Sequence, residues 1–258
     1  MSARIHPTAI VDKKAEIAKD AEIGPFVIVG PGCVVGAGSV IEARATLQEN
    51  VRVGSEVMVG IGSVLGGKPQ DLKFRGEVTH VEIGDHTVIR EYVTINRGTS
   101  QSFKTTVGGH CFLMSYSHLA HDCHVGDNVI MSNAVQLAGH VTIEEYVILS
   151  GVCAVHQFVK IGRHAFIGGL SRVQKDVPPF VKAVGNPMQL FGLNSVGLRR
   201  RGFSDEVIAE LKKAYRLLFR SELNVSQALE QAVLELKPFD EVKALIAFVE
   251  NSGRGVTV

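Results

Sequence analysis

A six-residue hydrophobic period constrains this chain more than any other feature. Steps of six from Ile5 meet Val11, Ile17, Ile23, Val29, Val35, Ile41, Leu47, Val53, Val59 and Leu65. The phase resumes at Ile83, Ile89 and Ile95, and again from Val107 through Val173. Of the 29 positions in this register, 26 are aliphatic or Met; the exceptions, Asp71, Glu77 and Gln101, fall in two breaks. With 45 % of residues hydrophobic, chance does not produce such a run. Four residues after each aliphatic stands a small or β-branched residue, among them Ala21, Val27, Cys33, Ser39, Val129 and Cys153. An α-helix, with its period of 3.6, does not place aliphatics every sixth residue. The pattern predicts a parallel β-helix of hexapeptides, an all-β solenoid. Three hexads make a triangular coil of 18 residues, coils stack at roughly 4.8 Å, and Ile5 to Val173 spans about nine of them. Gly often follows the aliphatic directly, as at Gly24, Gly30 and Gly36. Its recurrence predicts a tight corner with unusual φ/ψ. The handedness of the solenoid does not follow from the period.

The repeat ends at KDVPPFVKAVGNP, where Pro178, Pro179 and Pro187 interrupt it. Residues 1–190 are therefore expected to form the solenoid and 191–258 a C-terminal α-helical domain. In the latter, Ser204 reads as an N-cap with Asp205 and Glu206 in the first turn. Further helices are expected near 225–236 and 239–250. Basic residues cluster at Arg199, Arg200, Arg201, Lys212, Lys213, Arg216 and Arg220. They make either a solvated face or a docking surface for an acidic partner or a phosphate. The two breaks, 66–82 and 96–106, read as loops projecting from the prism, where function tends to sit.

A net charge of +1 gives no basic field for nucleic acid. There is no apolar run long enough for a membrane span, and charges within the first apolar stretch argue against a signal peptide. The four cysteines, Cys33, Cys111, Cys123 and Cys153, occupy the small inward position. They read as buried hydrophobes of a reducing, cytoplasmic compartment.

Six of the ten histidines lie between residues 110 and 156, most densely in Ser117-His118-Leu119-Ala120-His121-Asp122-Cys123-His124. Leu119 and Cys123 face inward, so His121 and Asp122 fall on a corner and are expected to point outward. Adding one coil length to each leads to Gly139 and His140; a further coil from His121 leads to Gln157, beside His156. The coil length thus gathers His121, Asp122, Gly139, His140, His156 and Gln157 into one patch. A neutral His beside a carboxylate is a general base with a fixed tautomer. A backbone N–H at Gly139 is placed to hold an oxyanion. With no Ser or Cys expected in the patch as nucleophile, the pairing suits direct acyl transfer without an acyl-enzyme. The competing readings are a histidine-lined subunit interface and a metal site built from His118, His121 and His124 or from histidines of two chains.

The segments QDLKF (70–74), IGDHTVIREYVTINRGT (83–99), SHLAHDC (117–123), LAGHV (137–141), VHQF (155–158), KDVPPFV (175–181) and RRRGFS (199–204) carry a more specific likeness. Together they resemble the acyl-carrier-protein-dependent UDP-N-acetylglucosamine O-acyltransferases that open lipid A biosynthesis. The resemblance covers nearly the whole chain. It implies a left-handed parallel β-helix, a homotrimer with sites between adjacent subunits, and transfer of an (R)-3-hydroxyacyl group to the 3-position of the UDP-sugar. It implies acyl carrier protein as donor and partner, with no other cofactor and no metal. His121 matches the general base, Asp122 its orienting partner and Gly139 the oxyanion donor. Gln70, Asp71 and Lys73 match sugar and phosphate contacts. His118, His140, His156 and Gln157 match substrate contacts, and Asn194 and Arg200 match contacts to the nucleotide end. Gly169 matches the position limiting the acyl tunnel. Asn96 and Val196 depart from the family's common His and Glu. N-acylation of a 3-O-acylated UDP-glucosamine, the same transfer to a 3-amino UDP-sugar, a β-helix metal-dependent hydratase and a non-catalytic scaffold are the alternatives weighed.

Overall fold

The computed structural model describes residues 3–258. Short strands, mostly of two residues, alternate with four-residue corners centred on a two-residue turn, and each strand pairs with its counterpart one coil away. Three sheets result, of 11, 9 and 8 strands, and they form the three faces of a prism. Pairing is parallel throughout the prism. Its register is 18 residues in the regular coils, as in Glu22 with Val40 and Phe112 with Ile130. The first break stretches it to 30 residues (Met58 with Val88), the second to 24 (Val88 with Phe112). The two breaks therefore insert twelve and six residues into otherwise regular coils.

The core is the pair of columns expected from the repeat. Ile41, Leu47, Leu65, Leu113, Met131 and Leu149 are buried, as are the small positions Ala45, Val57 and Val129. Ile5 remains 44 % exposed because the first coil has no coil beneath it. All four cysteines are buried and unpaired. Burial raises the Cys111 thiol to about 11 and the Cys123 thiol to about 12, as expected of a buried hydrophobe.

The corner chemistry differs from the sequence expectation. The left-handed backbone falls three residues after the aliphatic in most corners, as at Asn50 (φ 58°), Tyr92 (φ 56°), Asp122 (φ 59°) and His140 (φ 62°), and not at the Gly that follows the aliphatic directly. A non-Gly residue there costs about 1–2 kcal/mol. Inter-coil hydrogen bonds offset this, such as His140 N–H to the His121 carbonyl at 3.0 Å. Gly36 is small for another reason: a Cβ would lie 2.3 Å from the Gly54 carbonyl oxygen of the next coil.

Beyond the prism, strand Val181–Gly185 pairs antiparallel with Met188–Leu193. The expected boundary at 190 falls within this hairpin, and helix begins only at Ser195. The helices are α1 (Ser195–Arg200), α2 (Asp205–Arg220), α3 (Val225–Glu235) and α4 (Asp240–Glu250). Ser204 caps α2 by accepting the Val207 N–H, as its sequence predicts. The helices pack on the hairpin: Arg220 donates to the Leu190 carbonyl at 2.6 Å, and Tyr215 Oη accepts the Gly192 N–H. No described helix is long and apolar enough to cross a membrane.

Candidate active site

His121 and Asp122 form one corner between two sheets, with Gly139 and His140 stacked on them and Gln157 and Phe158 one coil further on. His121 Nδ1 donates to Asp122 Oδ2 at 2.8 Å, which leaves Nε2 as the acceptor of the ring. The His140 ring meets the His121 ring edge-on, centroids 4.9 Å apart, and stacks flat on Phe158 at 4.4 Å. Gly139 gives the His121 ring its space: a Cβ there would lie 2.8 Å from Nε2 and 2.7 Å from Cε1. Among the described residues the Gly139 N–H has no hydrogen-bond acceptor, so it is available to a ligand.

Asp122 does not point out to solvent as the corner pattern suggested; its side chain is 1 % exposed, against 12 % for His121. The second projecting loop covers it. Oδ1 accepts the Thr99 N–H at 2.9 Å, the Ser102 N–H at 3.3 Å and the Ser102 hydroxyl. Oδ2 accepts the Thr99 hydroxyl at 2.7 Å besides His121. Burial pushes this carboxyl up, but the hydrogen bonds from Ser102, His121 and Thr99 outweigh burial and hold it down at about 2. A fixed negative charge therefore sits behind the His121 ring. Burial lowers His140, against the attraction of Asp122, which favours a neutral ring.

The two projecting loops complete a cavity of about 710 Å³ over this corner. Gln70, Asp71 and Lys73 line one wall, Thr99, Ser100 and Gln101 another, and His121, His140, Gln157 and Phe158 the floor. Asp71 shapes its own turn: Oδ1 accepts the Lys73 N–H at 2.9 Å and its carbonyl accepts the Phe74 N–H at 3.1 Å. Phe74 in turn lies against buried Arg97, whose guanidinium sits 5.5 Å above the ring and pairs with Glu49 at 2.5 Å. This contact ties the first loop to the second.

Of the residues singled out in the sequence, the chain brings together His121, Asp122, Gly139, His140, Gln157, Gln70, Asp71 and Lys73. It does not bring the others to this cavity. His118 lies on the outer face of the nine-stranded sheet, its Nδ1 bonded to Thr94 Oγ1 at 2.7 Å, and burial lowers it too. His156 is exposed and contacts the Gln157 carbonyl and Arg254. Asn194 caps α1, accepting from Gly197 N–H and donating to the His164 carbonyl, so both ends of its amide are engaged. Arg200 is exposed in the last turn of α1. Gly169 sits at an exposed corner, where a Cβ would come within 3.3 Å of the Gly151 carbonyl oxygen. The metal set His118, His121 and His124 is not assembled, since His124 Nδ1 bonds Thr106 Oγ1 on another sheet. His121, Asp122 and His140 do converge, but both Asp122 oxygens already serve five donors.

The repeat arithmetic missed Thr99, Ser100, Ser102, Phe74 and Phe158. The serines stand in the second break, where stepping by 18 fails. The Ser102 hydroxyl lies between Asp122 Oδ1 and the Lys104 carbonyl, and neither serine bonds His121, so no nucleophile-base pair forms.

Residues 176–257 match the family described as UDP-N-acetylglucosamine O-acyltransferase, domain 2. A Burkholderia mallei protein named acyl-[acyl-carrier-protein]–UDP-N-acetylglucosamine O-acyltransferase is 51 % identical, over 98 % of this chain and 99 % of its own. A Gloeothece citriformis protein of the same name is 52 % identical over 170 residues, 66 % of this chain and 62 % of its own length. A crystal structure described as a UDP-N-acetylglucosamine acyltransferase from Bacteroides fragilis superposes with a TM-score of 0.96. It is 39 % identical, and the match covers 98 % of this chain and all of that one. The fold is thus the expected left-handed parallel β-helix with a helical C-terminal region. Site geometry, full-length identity and fold converge: the chain belongs to the acyl-[acyl-carrier-protein]–UDP-N-acetylglucosamine O-acyltransferase family.

Proposed function

We propose that the protein transfers an (R)-3-hydroxyacyl group from acyl carrier protein to the 3-hydroxyl of UDP-N-acetylglucosamine, the reaction that opens lipid A biosynthesis. The observation that carries this reading is the His121–Asp122 pair on the floor of a cavity walled by Asp71 and Lys73. His121 Nε2 takes the proton of the sugar hydroxyl as its oxygen attacks the thioester carbonyl. The Gly139 N–H donates to the developing oxyanion. Collapse breaks the carbon–sulfur bond, and the imidazolium returns the proton to the departing thiolate. Asp122 stabilises the imidazolium between these steps without taking the proton, its carboxyl being held near 2. Lys73 supplies positive charge for a phosphate and Gln70 and Asp71 polar contacts for the sugar. The transfer needs no cofactor beyond the donor thioester.

The active assembly is a homotrimer in this reading. It explains why His118, His156, Asn194 and Arg200 lie outside the single-chain cavity: they would serve a site completed by a neighbouring subunit. The basic residues of α1 and α2 suit an acidic carrier protein, and an acyl-carrier donor and four buried free thiols fit a cytoplasmic enzyme. Gly169, lacking a side chain, leaves room for a long acyl tail.

The test is a single-turnover assay with 3-hydroxyacyl carrier proteins of several chain lengths, offered UDP-N-acetylglucosamine or its 3-amino analogue and read by mass spectrometry. Ester formation on the hydroxyl sugar is expected. Transfer to the amino sugar alone, or to neither, overturns the proposal.

A further inference from the structure

We infer that Thr99 and Ser102, the hydroxyl residues of the second projecting loop, are positioning residues for the base, fixing Asp122 so that His121 presents its Nε2 lone pair to the acceptor. The inference rests on the function proposed above and deepens it. At neighbouring corners the left-handed residue gives its amide to a carbonyl of the coil below: His140 to His121 at 3.0 Å, Phe158 to Gly139 at 3.1 Å. At Asp122 the six inserted residues interrupt this ladder, and its amide donates to Thr105 Oγ1 at 2.9 Å instead. The same insertion folds over the carboxylate and supplies four of its five donors, two of them backbone N–H groups and two hydroxyls.

Two histidines compete for Oδ2. His121 Nδ1 is 2.8 Å away and His140 Nδ1 3.7 Å. The Thr99 hydroxyl, at 2.7 Å from Oδ2, and the Ser102 hydroxyl on Oδ1 pin the carboxylate toward His121. Without them the carboxylate is free to turn toward His140. His121 then loses its Nδ1 acceptor and is free to carry its proton on Nε2, where it cannot accept one from a substrate. The charged and titratable groups facing Asp122 are His121 on its own corner and His140 on the next coil. Asp71 and His124 act on His140 from the first loop and the adjoining sheet, and the Cys123 thiol beside Asp122 is held neutral by burial. Arg97 and Lys104, on the same loop, are engaged elsewhere, with Glu49 and Glu82.

The experiment compares Thr99→Val, Ser102→Ala, the double variant and the conservative Thr99→Ser. It measures kcat and KM against pH, with histidine-selective 15N NMR of the ring nitrogens of the full protein. Each lost hydroxyl is expected to lower kcat on the order of 10-fold, the scale of a hydrogen bond to a charged group, with KM for the UDP-sugar unchanged. In the double variant the loss in kcat is expected across the pH profile, because part of the neutral base then carries its proton on the wrong nitrogen. The His121 signals shift from the Nδ1–H tautomer toward a mixture, and Thr99→Ser restores most of the rate. A double variant with wild-type kcat, or one with lower kcat but an unmoved tautomer, overturns the inference. Should the wild-type protein transfer no acyl group while the tautomer still responds to the double variant, the functional reading fails and the positioning stands.

Discussion

Gly139 illustrates a residue defined by the space it leaves. Its backbone keeps the N–H that the oxyanion needs, while its missing Cβ makes room for the His121 ring, which would otherwise stand 2.7–2.8 Å from it. Gly139→Ala retains the amide and displaces the ring. The expected result is a loss of kcat approaching that of His121→Ala, with the fold intact by circular dichroism. If donor geometry alone mattered, Gly139→Ala would keep most of its rate. His121→Ala itself is expected to lower kcat by about 10²–10⁴, the usual contribution of a general base. Wild-type turnover in that variant would remove His121 from the role.

At the scale of the element, a corner repeats some features and varies others. The close approach at Gly36, where a Cβ would lie 2.3 Å from the Gly54 carbonyl oxygen, makes Gly36→Val an overpacking change between two coils. A destabilisation of about 2–3 kcal/mol is expected, read as a lower urea midpoint with an unchanged slope. The left-handed corner position instead accepts large side chains, which stack coil upon coil: Tyr92 on Tyr116, and Tyr146, His164 and Phe180 in one column. Burial in this column drives His164 down from 6.5 to about 4, with Arg201 and Arg163 adding to it against Glu145. The unfolded chain binds this proton first, so His164 should erode stability as pH falls from 6.5 to about 4 and add nothing below that. His164→Phe removes the term. Thermal melts either side of the window should show a smaller loss for the variant than for the wild type; equal losses would place the titration elsewhere.

For the whole molecule, the outer face of the nine-stranded sheet carries Ile10 and Ile28 near its start, 66 % and 44 % exposed, and His118 further along. A trimer proposed to complete the site has this face as a natural seam. Ile10→Asp with Ile28→Asp is expected to shift the protein from a three-chain species to monomer in analytical ultracentrifugation and to abolish turnover. A wild-type monomer with full activity would show that the single-chain cavity suffices. At the other end the tail returns to the prism, Thr257 N–H donating to the Asp176 carbonyl and Ser252 Oγ to its carboxylate, so the helices are tied to the last coils.

The coil length made much of this legible in advance. Because strands pair every 18 residues, residues as distant as His121, Gly139 and Gln157 could be stacked from the sequence, and the buried cysteines assigned. That arithmetic is local: it holds only while each coil has the same number of residues. Where the breaks add twelve and six, it could not say how the loops fold back. So the burial of Asp122 under Thr99 and Ser102, the clamp of Phe74 on Arg97 and the capping role of Asn194 emerged only in three dimensions. Nor did the repeat reveal which corner residue is left-handed, since the Gly directly after the aliphatic serves inter-coil contact, while the left-handed position carries residues as different as Gly38, Tyr92 and His140. The hydrophobic period by itself determined the prism and the corner that bears the base. Tertiary structure decided the electrostatic setting of that base, because charge and tautomer depend on donors that arrive from loops outside the repeat.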